Sequence, residues 1–144
     1  MKKNHWILLI LVIGLLAGGG IALYMFNKPH KNIEETKADV SLPAQELVQH
    51  FIDNEDEANI LYLNKVIEVS GTLVSIDYNS SGKGMITLVQ QEDGLSAAFD
   101  SAYVVGHLDF FKELAPGVEV KVKGRCDGYM MLNGVSLNKC SFVR

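Results

Sequence analysis

The first 31 residues contain no acidic side chain, and from Trp6 to Phe26 no side chain carries a charge of either sign. Cysteine is nearly as scarce: the chain has two, Cys126 and Cys140, and none in this leader. The tetrad Leu16-Ala17-Gly18-Gly19 would be a lipoprotein cleavage box with cysteine in its last position. Glycine has no thiol to acylate, so lipidation there lacks its one obligatory atom. Basic residues are in short supply after the leader, where the remaining nine Lys/Arg face all 17 Asp/Glu. An acidic domain of this kind is repelled by phosphate backbones and anionic headgroups, which counts against nucleic acid. Also lacking are a Ser–His–Asp set, a Cys/His metal cluster and a phosphate-binding loop. Asp100, His107 and Asp109 lie close in sequence with no sign that they converge. No catalytic residue, metal ligand or cofactor is expected, and the chain reads as a non-enzyme.

What the leader has is length. A bilayer core about 30 Å thick needs roughly 20 helical residues, and Trp6 and Tyr24 suit its two interfaces. A signal peptide has an apolar region of about 7–15 residues and a small-residue cleavage site. Ala17 and Gly19 make such a pattern, but the chain stays apolar through "GIALYMF" beyond it. Residues 1–27 are therefore expected to be an uncleaved transmembrane anchor or signal-anchor, contacting the lipid bilayer through Trp6–Phe26. Lys2 and Lys3 on one side nearly balance Lys28 and Lys31 on the other, so the positive-inside bias is weak. A short cationic tail before a first apolar run is nonetheless the usual form of an export signal. The expected address is the inner (cytoplasmic) membrane, single-pass, with the C-terminal domain facing the periplasm or cell exterior.

Residues 28–42 are polar and read as a tether, and residues 43–144 as the folded domain. Ser41 can cap a helix with Pro43 in its first turn, and Leu47, Val48, Phe51 and Ile52 share one face. Asn54 and Glu57 form a capping box for a second short helix, with Ala58, Leu61 and Tyr62 inward. The run Glu55-Asp56-Glu57 suits the positive end of that helix and lacks the spacing of a calcium loop. After Asn64 the period becomes two: strands at "KVIEVSGTLVSID", "GMITLVQ" and "LSAAFD", an amphipathic helix at "HLDFFKELAPG", then strands at "VEVKVKGRC" and "VSLNKCSFV". The prediction is mainly β with short helices. Five strands with a helix between the third and fourth is the order of an OB-fold barrel, here preceded by two short helices. Bends at Gly71 and Gly124 would help it close, with an open α+β sheet as the alternative.

Cys126 and Cys140 are symmetric about Asn133 in the last hairpin. An odd loop centred there would oppose them at disulfide distance, and a two-residue Asn-Gly turn would offset them by one. An export signal favours the disulfide; buried free thiols are the alternative. Val135 and Leu137 differ in parity from Cys140 and Phe142, which requires a twist or bulge near Lys139. His50 and His107 stand alone and read as packing residues.

The run "ELVQHFIDNEDEANILYLNKVIEVSGTLVSI", the strand "VEVKVKGRC" and the closing "VSLNKCSFV" resemble the tRNA-anticodon-binding-like OB-fold family of small bacterial membrane-anchored proteins and lipoproteins. The residues most alike are Phe51, Asn54, Glu55, Ala58, Tyr62, Lys65, Val69, Gly71, Gly124, Cys126, Gly128, Leu137 and Cys140. The resemblance covers about residues 44–143 and is structural, so it implies the barrel and no activity.

The expected function is a membrane-anchored, extracytoplasmic, non-enzymatic binding module. OB-folds bind through strands two and three and the adjoining loops, which here include Tyr78, Asn79 and Lys83. Lys121, Lys123 and Arg125 make a basic strand face that single-stranded nucleic acid could use, but no stacking aromatic accompanies it. An envelope protein, a glycan or a small ligand is the expected partner. A nucleic-acid-binding OB domain and an envelope enzyme are the lesser alternatives.

Overall fold

The computed structural model describes residues 2–26, 33–89 and 93–143, and the chain divides into two units, residues 1–32 and 33–144. The first unit carries helix α1 (Lys2–Phe26). Among the described residues no helix is long and apolar enough to cross a membrane. The side chains of residues 2–5, 8, 25 and 26 fall outside that description. The transmembrane span expected over Trp6–Phe26 is therefore not borne out by the structure.

The second unit runs β1 (Val40–Pro43), α2 (Ala44–Asp53), α3 (Glu55–Tyr62), β2 (Val66–Tyr78), β3 (Gly84–Leu88), β4 (Leu95–Phe99), α4 (Ser101–Gly106), α5 (Leu108–Glu113), β5 (Glu119–Met130) and β6 (Gly134–Phe142). Strand β2 belongs to two ladders of the barrel, besides the short one it forms with β1. Val66–Thr72 pairs antiparallel with β5, and Leu73–Tyr78 pairs antiparallel with β3. The register slips between Leu73 and Ser75, so the bend predicted at Gly71 lies just beyond it. Antiparallel β3–β4, parallel β4–β6 and antiparallel β6–β5 complete the ring. The result is a closed five-stranded barrel with helices between its third and fourth strands, in the predicted order.

Strand β1 was not foreseen. The sequence places residues 40–42 in a tether with Ser41 as a helix cap, but they pair in parallel with Ile67–Val69. The Ser41 hydroxyl donates to Glu68 Oε1 at 3.2 Å, and Pro43 is the N-cap of α2 without a side-chain bond. Earlier still, Ile33 is buried. Strand β1 lies on the edge of β2 that β3 takes over from Leu73, so it covers backbone groups that β3 is too short to reach.

The two helices before β2 follow their patterns in part. Leu47, Val48, Phe51, Ala58 and Tyr62 are buried, whereas Ile52 and Leu61 are exposed. Asn54 Oδ1 accepts from the Glu57 N–H at 3.3 Å, and the Asn54 amide donates to Glu57 Oε2 at 3.3 Å. This is the predicted cap, with the side-chain amide in the place of the backbone N–H. The barrel interior is filled by Ile67, Val69, Leu73, Ile86, Leu88, Leu95, Val122, Val135 and Leu137. Phe111 of α5 is fully buried and meets Tyr78, Phe99 and Phe142 at ring-centroid distances of 5.8, 5.2 and 5.6 Å. The helical insertion is thus the plug of one barrel end.

The expected disulfide is absent, and both cysteines are free and buried. The hairpin closes on the pair Met130–Gly134, so its apex is Leu132 rather than Asn133. Gly134 has φ +66°, the left-handed residue that ends a three-residue hairpin loop. With a further register slip between Cys126 and Gly128, Cys126 faces Leu137, three residues short of Cys140. A kink at Lys139, with φ +53°, then turns Cys140 inward where the parity argument required one. Its sulfur occupies the space above Gly124, where any Cβ would collide with it. Gly124→Ala is expected to cost about 1–3 kcal/mol by overpacking. Adding Cys140→Ala should recover part of that loss, seen as a non-additive double-mutant cycle in urea unfolding.

Candidate functional site

The face formed by β3 and β4 is the usual recognition surface of an OB barrel. Inward residues Ile86, Leu88, Leu95 and Ala97 are buried, which turns Met85, Thr87, Ser96 and Ala98 outward. Register extends this face to both neighbours: Ser75 pairs with Thr87, Thr87 with Ser96, and Ser96 with Ser136. Four hydroxyl side chains therefore form one row across β2, β3, β4 and β6. Each hydroxyl offers a donor and two acceptors, and the row carries no ring and no charge. Nothing in the linear spacing marks these residues, because only the cross-strand register aligns them.

The β2–β3 loop lies beyond the strand ends at one side of the row. Asn79 Oδ1 accepts the N–H groups of Ser81 and Lys83, both at 3.0 Å, and Lys83 Nζ lies 3.4 Å from Asp77. Asn79 is thus spent on holding its own turn. Tyr78 is half-buried against Phe111 rather than offered outward. On the other hairpin, Met131 and Leu132 are 94% and 93% exposed, an apolar tip that the sequence reading passed over.

Lys121, Lys123 and Arg125 alternate along β5 as predicted, but each meets a protein acceptor. Lys121 lies 3.7 Å from Glu68, Lys123 donates to the Glu34 carbonyl at 2.9 Å, and Arg125 lies 3.2 Å from Asp127. Lys123 faces Glu68 on β2, ten residues from Tyr78. At about 3.3 Å per residue that is roughly 33 Å along the strand. The basic stripe and the β2–β3 loop are therefore separate sites.

Concavities among the described residues add to this surface. A groove of about 730 Å³ runs over Gly71 and Thr72 between Pro43 at the end of β1 and Val89 at the end of β3. Val89, a β-branched residue at φ +74°, forms its lip, a conformation that costs on the order of 1–3 kcal/mol. A second, aromatic cleft lies between α4–α5 and the ends of β5 and β6. Among the described residues no three His, Cys, Asp or Glu side chains gather to hold a metal ion. His50 Nδ1 lies 2.6 Å from the Tyr62 hydroxyl, and His107 Nδ1 donates to the Tyr103 carbonyl at 2.8 Å. Each histidine thus has a ring nitrogen engaged within the domain.

Comparison with known proteins follows this geometry. The tRNA_anti-like family model matches residues 1–141. A solved structure from Klebsiella pneumoniae, described as a candidate nucleic acid-binding lipoprotein, superposes with TM-score 0.56 at 19% identity, covering 72% of this chain and 91% of that one. A candidate aspartyl-tRNA synthetase from Leishmania major superposes with TM-score 0.49 at 14% identity, covering 81% of this chain and 22% of that one. Both likenesses concern the fold. Comparison with curated proteins returns no match.

Burial pushes the Cys140 and Cys126 thiols up, and burial together with the Glu46 charge raises Tyr62. The hydrogen bond to Asp93 raises Tyr129. A proton held more tightly in the folded chain stabilises it fully below the unfolded pKa and is lost progressively above it. The stability that these four groups contribute should thus be level up to about pH 8.5, the free-thiol value, and fall as pH rises further. Thiol reagent should label neither cysteine of the native chain and both after unfolding, read by intact mass.

Proposed function

We propose, from the premise that the chain belongs to the tRNA_anti-like family, that this OB-fold domain is a non-enzymatic binding module of the bacterial envelope. Residues 6–26 would hold it at the inner membrane, with the barrel on the periplasmic or outer side. The observation that carries the binding reading is the hydroxyl row of Ser75, Thr87, Ser96 and Ser136 between two loops. Such a face supports recognition of a polar, uncharged ligand surface, and an envelope glycan has that chemistry. Lys83 and Asn79 would rim it, the first as a movable cation and the second by fixing the loop.

The anchor reading rests on the sequence: Trp6–Phe26 is a run of 21 residues without a charged side chain, and roughly 20 helical residues cross a hydrocarbon core. Washing membranes with alkaline carbonate should leave the protein in the pellet, and protease added to spheroplasts should remove the barrel. Release by carbonate, or a protected barrel, would refute the anchor.

Single-stranded nucleic acid is the second reading, favoured by the three cations of β5. Against it stand their partners Glu68 and Asp127, the acidity of the domain and the want of a stacking ring on β3–β4. Full-length protein is expected to show no salt-sensitive retention on immobilised oligothymidylate. On an array of peptidoglycan and other envelope glycan fragments, Ser96→Arg should abolish retention without changing the circular dichroism. Retention on oligothymidylate that falls steeply with salt would reverse the ranking.

A further inference from the structure

The aromatic cleft lies away from the β3–β4 face and is built from two cavities that share Tyr103, His107, Phe142 and Val143. One, of about 290 Å³, continues past Phe110, Leu114, Val118 and Val120 to Lys121. The other, of about 370 Å³, ends at Lys123 and Glu34. Together they form a channel that is apolar at one end and cationic at the other. Volumes of this order are those of small-molecule sites, which are mostly apolar with a few placed polar groups.

The lining rings are held in place. His107 stacks on Tyr103 with centroids 4.2 Å apart, and its Nδ1–H is fixed by the Tyr103 carbonyl. The Phe142 N–H donates to the Tyr103 hydroxyl at 3.0 Å, which ties the α4 wall to β6. Phe110 meets Phe142 edge-on at 4.9 Å, with an interplanar angle of 67°. Phe110 is itself 38% exposed, so a ring that costs water contact stands over an apolar hollow. Aromatic walls of this kind favour an aromatic guest in offset or edge-on contact.

Charge sets the polarity of the guest. Lys121 and Lys123 reach the cleft from successive outward positions of β5, while Glu119 and Glu34 stand on its rim. Lys123 uses one of its three donors on the Glu34 carbonyl and keeps two, whereas a carboxylate has none to offer an anion. Lys121 is only loosely paired, at 3.7 Å from Glu68.

The geometry points to this cleft as a binding site for a small aryl anion, its ring seated among Phe110, Phe142, Leu114 and Val118 and its carboxylate, sulfonate or phosphate held by Lys123 and Lys121. The reading is independent of the hydroxyl face and of its ligand.

Naphthalene-2-sulfonate is a suitable probe, titrated into the full-length protein in phosphatidylcholine nanodiscs and followed by backbone amide shifts. Saturable shifts are expected at His107, Lys123, Phe142 and Val143, and not at Thr87 or Ser96. The double variant Lys121→Gln/Lys123→Gln should weaken binding about tenfold, the scale of a lost charge-assisted hydrogen bond. Phe110→Ser, at a half-exposed position, should weaken it by a similar factor and leave the other amide shifts in place. The neutral 2-naphthol should bind more weakly than the sulfonate. Shifts that fail to saturate, an unaltered affinity in the double lysine variant, or tighter binding of a naphthyl trimethylammonium cation would each overturn the proposal.

Discussion

The barrel depends on one strand serving two partners. Strand β2 gives its first seven residues to β5 and its remainder to β3, and the β4–β6 pairing closes the ring on the other side. The slip at Leu73–Ser75 lets this happen, because a straight strand cannot lie along two neighbours that diverge. Which side chains point inward then follows for β3, β4 and β6 in turn. The hydroxyl row, the basic stripe and the inward turn of Cys140 are all consequences of that register. Strand β1 has the complementary task, lying along the stretch of β2 that β3 does not reach.

Charge on this surface is largely answered from within. Glu68 receives both Ser41 and Lys121, Asp127 holds Arg125, and Asp77 faces Lys83. Exposed pairs of this sort add little to stability, on the order of 0–1 kcal/mol each. Their effect on recognition is greater, because a cation already facing a carboxylate attracts a distant phosphate weakly. What remains available for contact is the neutral hydroxyl face, the apolar Met131–Leu132 tip and the aromatic cleft with its two lysines.

Local pattern made the barrel legible and left its surfaces obscure. Alternation located β2 to β6, the Asn54 cap located α3, and the amphipathic segment near Phe111 located the plug, since each is decided within a few residues. Strand β1 escaped because four residues carry no reliable period and Ser41-x-Pro43 has the chemistry of a helix start. The cysteine pairing failed by three residues: Asn133-Gly134 is a strong turn signal, but Gly134 closes the loop rather than sitting at its apex, and a register slip between Cys126 and Gly128 adds to the offset. Of the expected site residues, Tyr78 packs against Phe111, Asn79 holds its own turn, and the β5 lysines pair with the far end of β2 from that loop. The hydroxyl row could not be read in advance, since it exists only once four separated strands are brought into register.

The sulfur of Cys140 fits a hollow made by Gly124, and Cys126 sits opposite a leucine, so neither depends on the other to hold the chain together. The native barrel is held by packing and strand pairing with both thiols free, so a reductant finds no sulfur–sulfur bond in it to break.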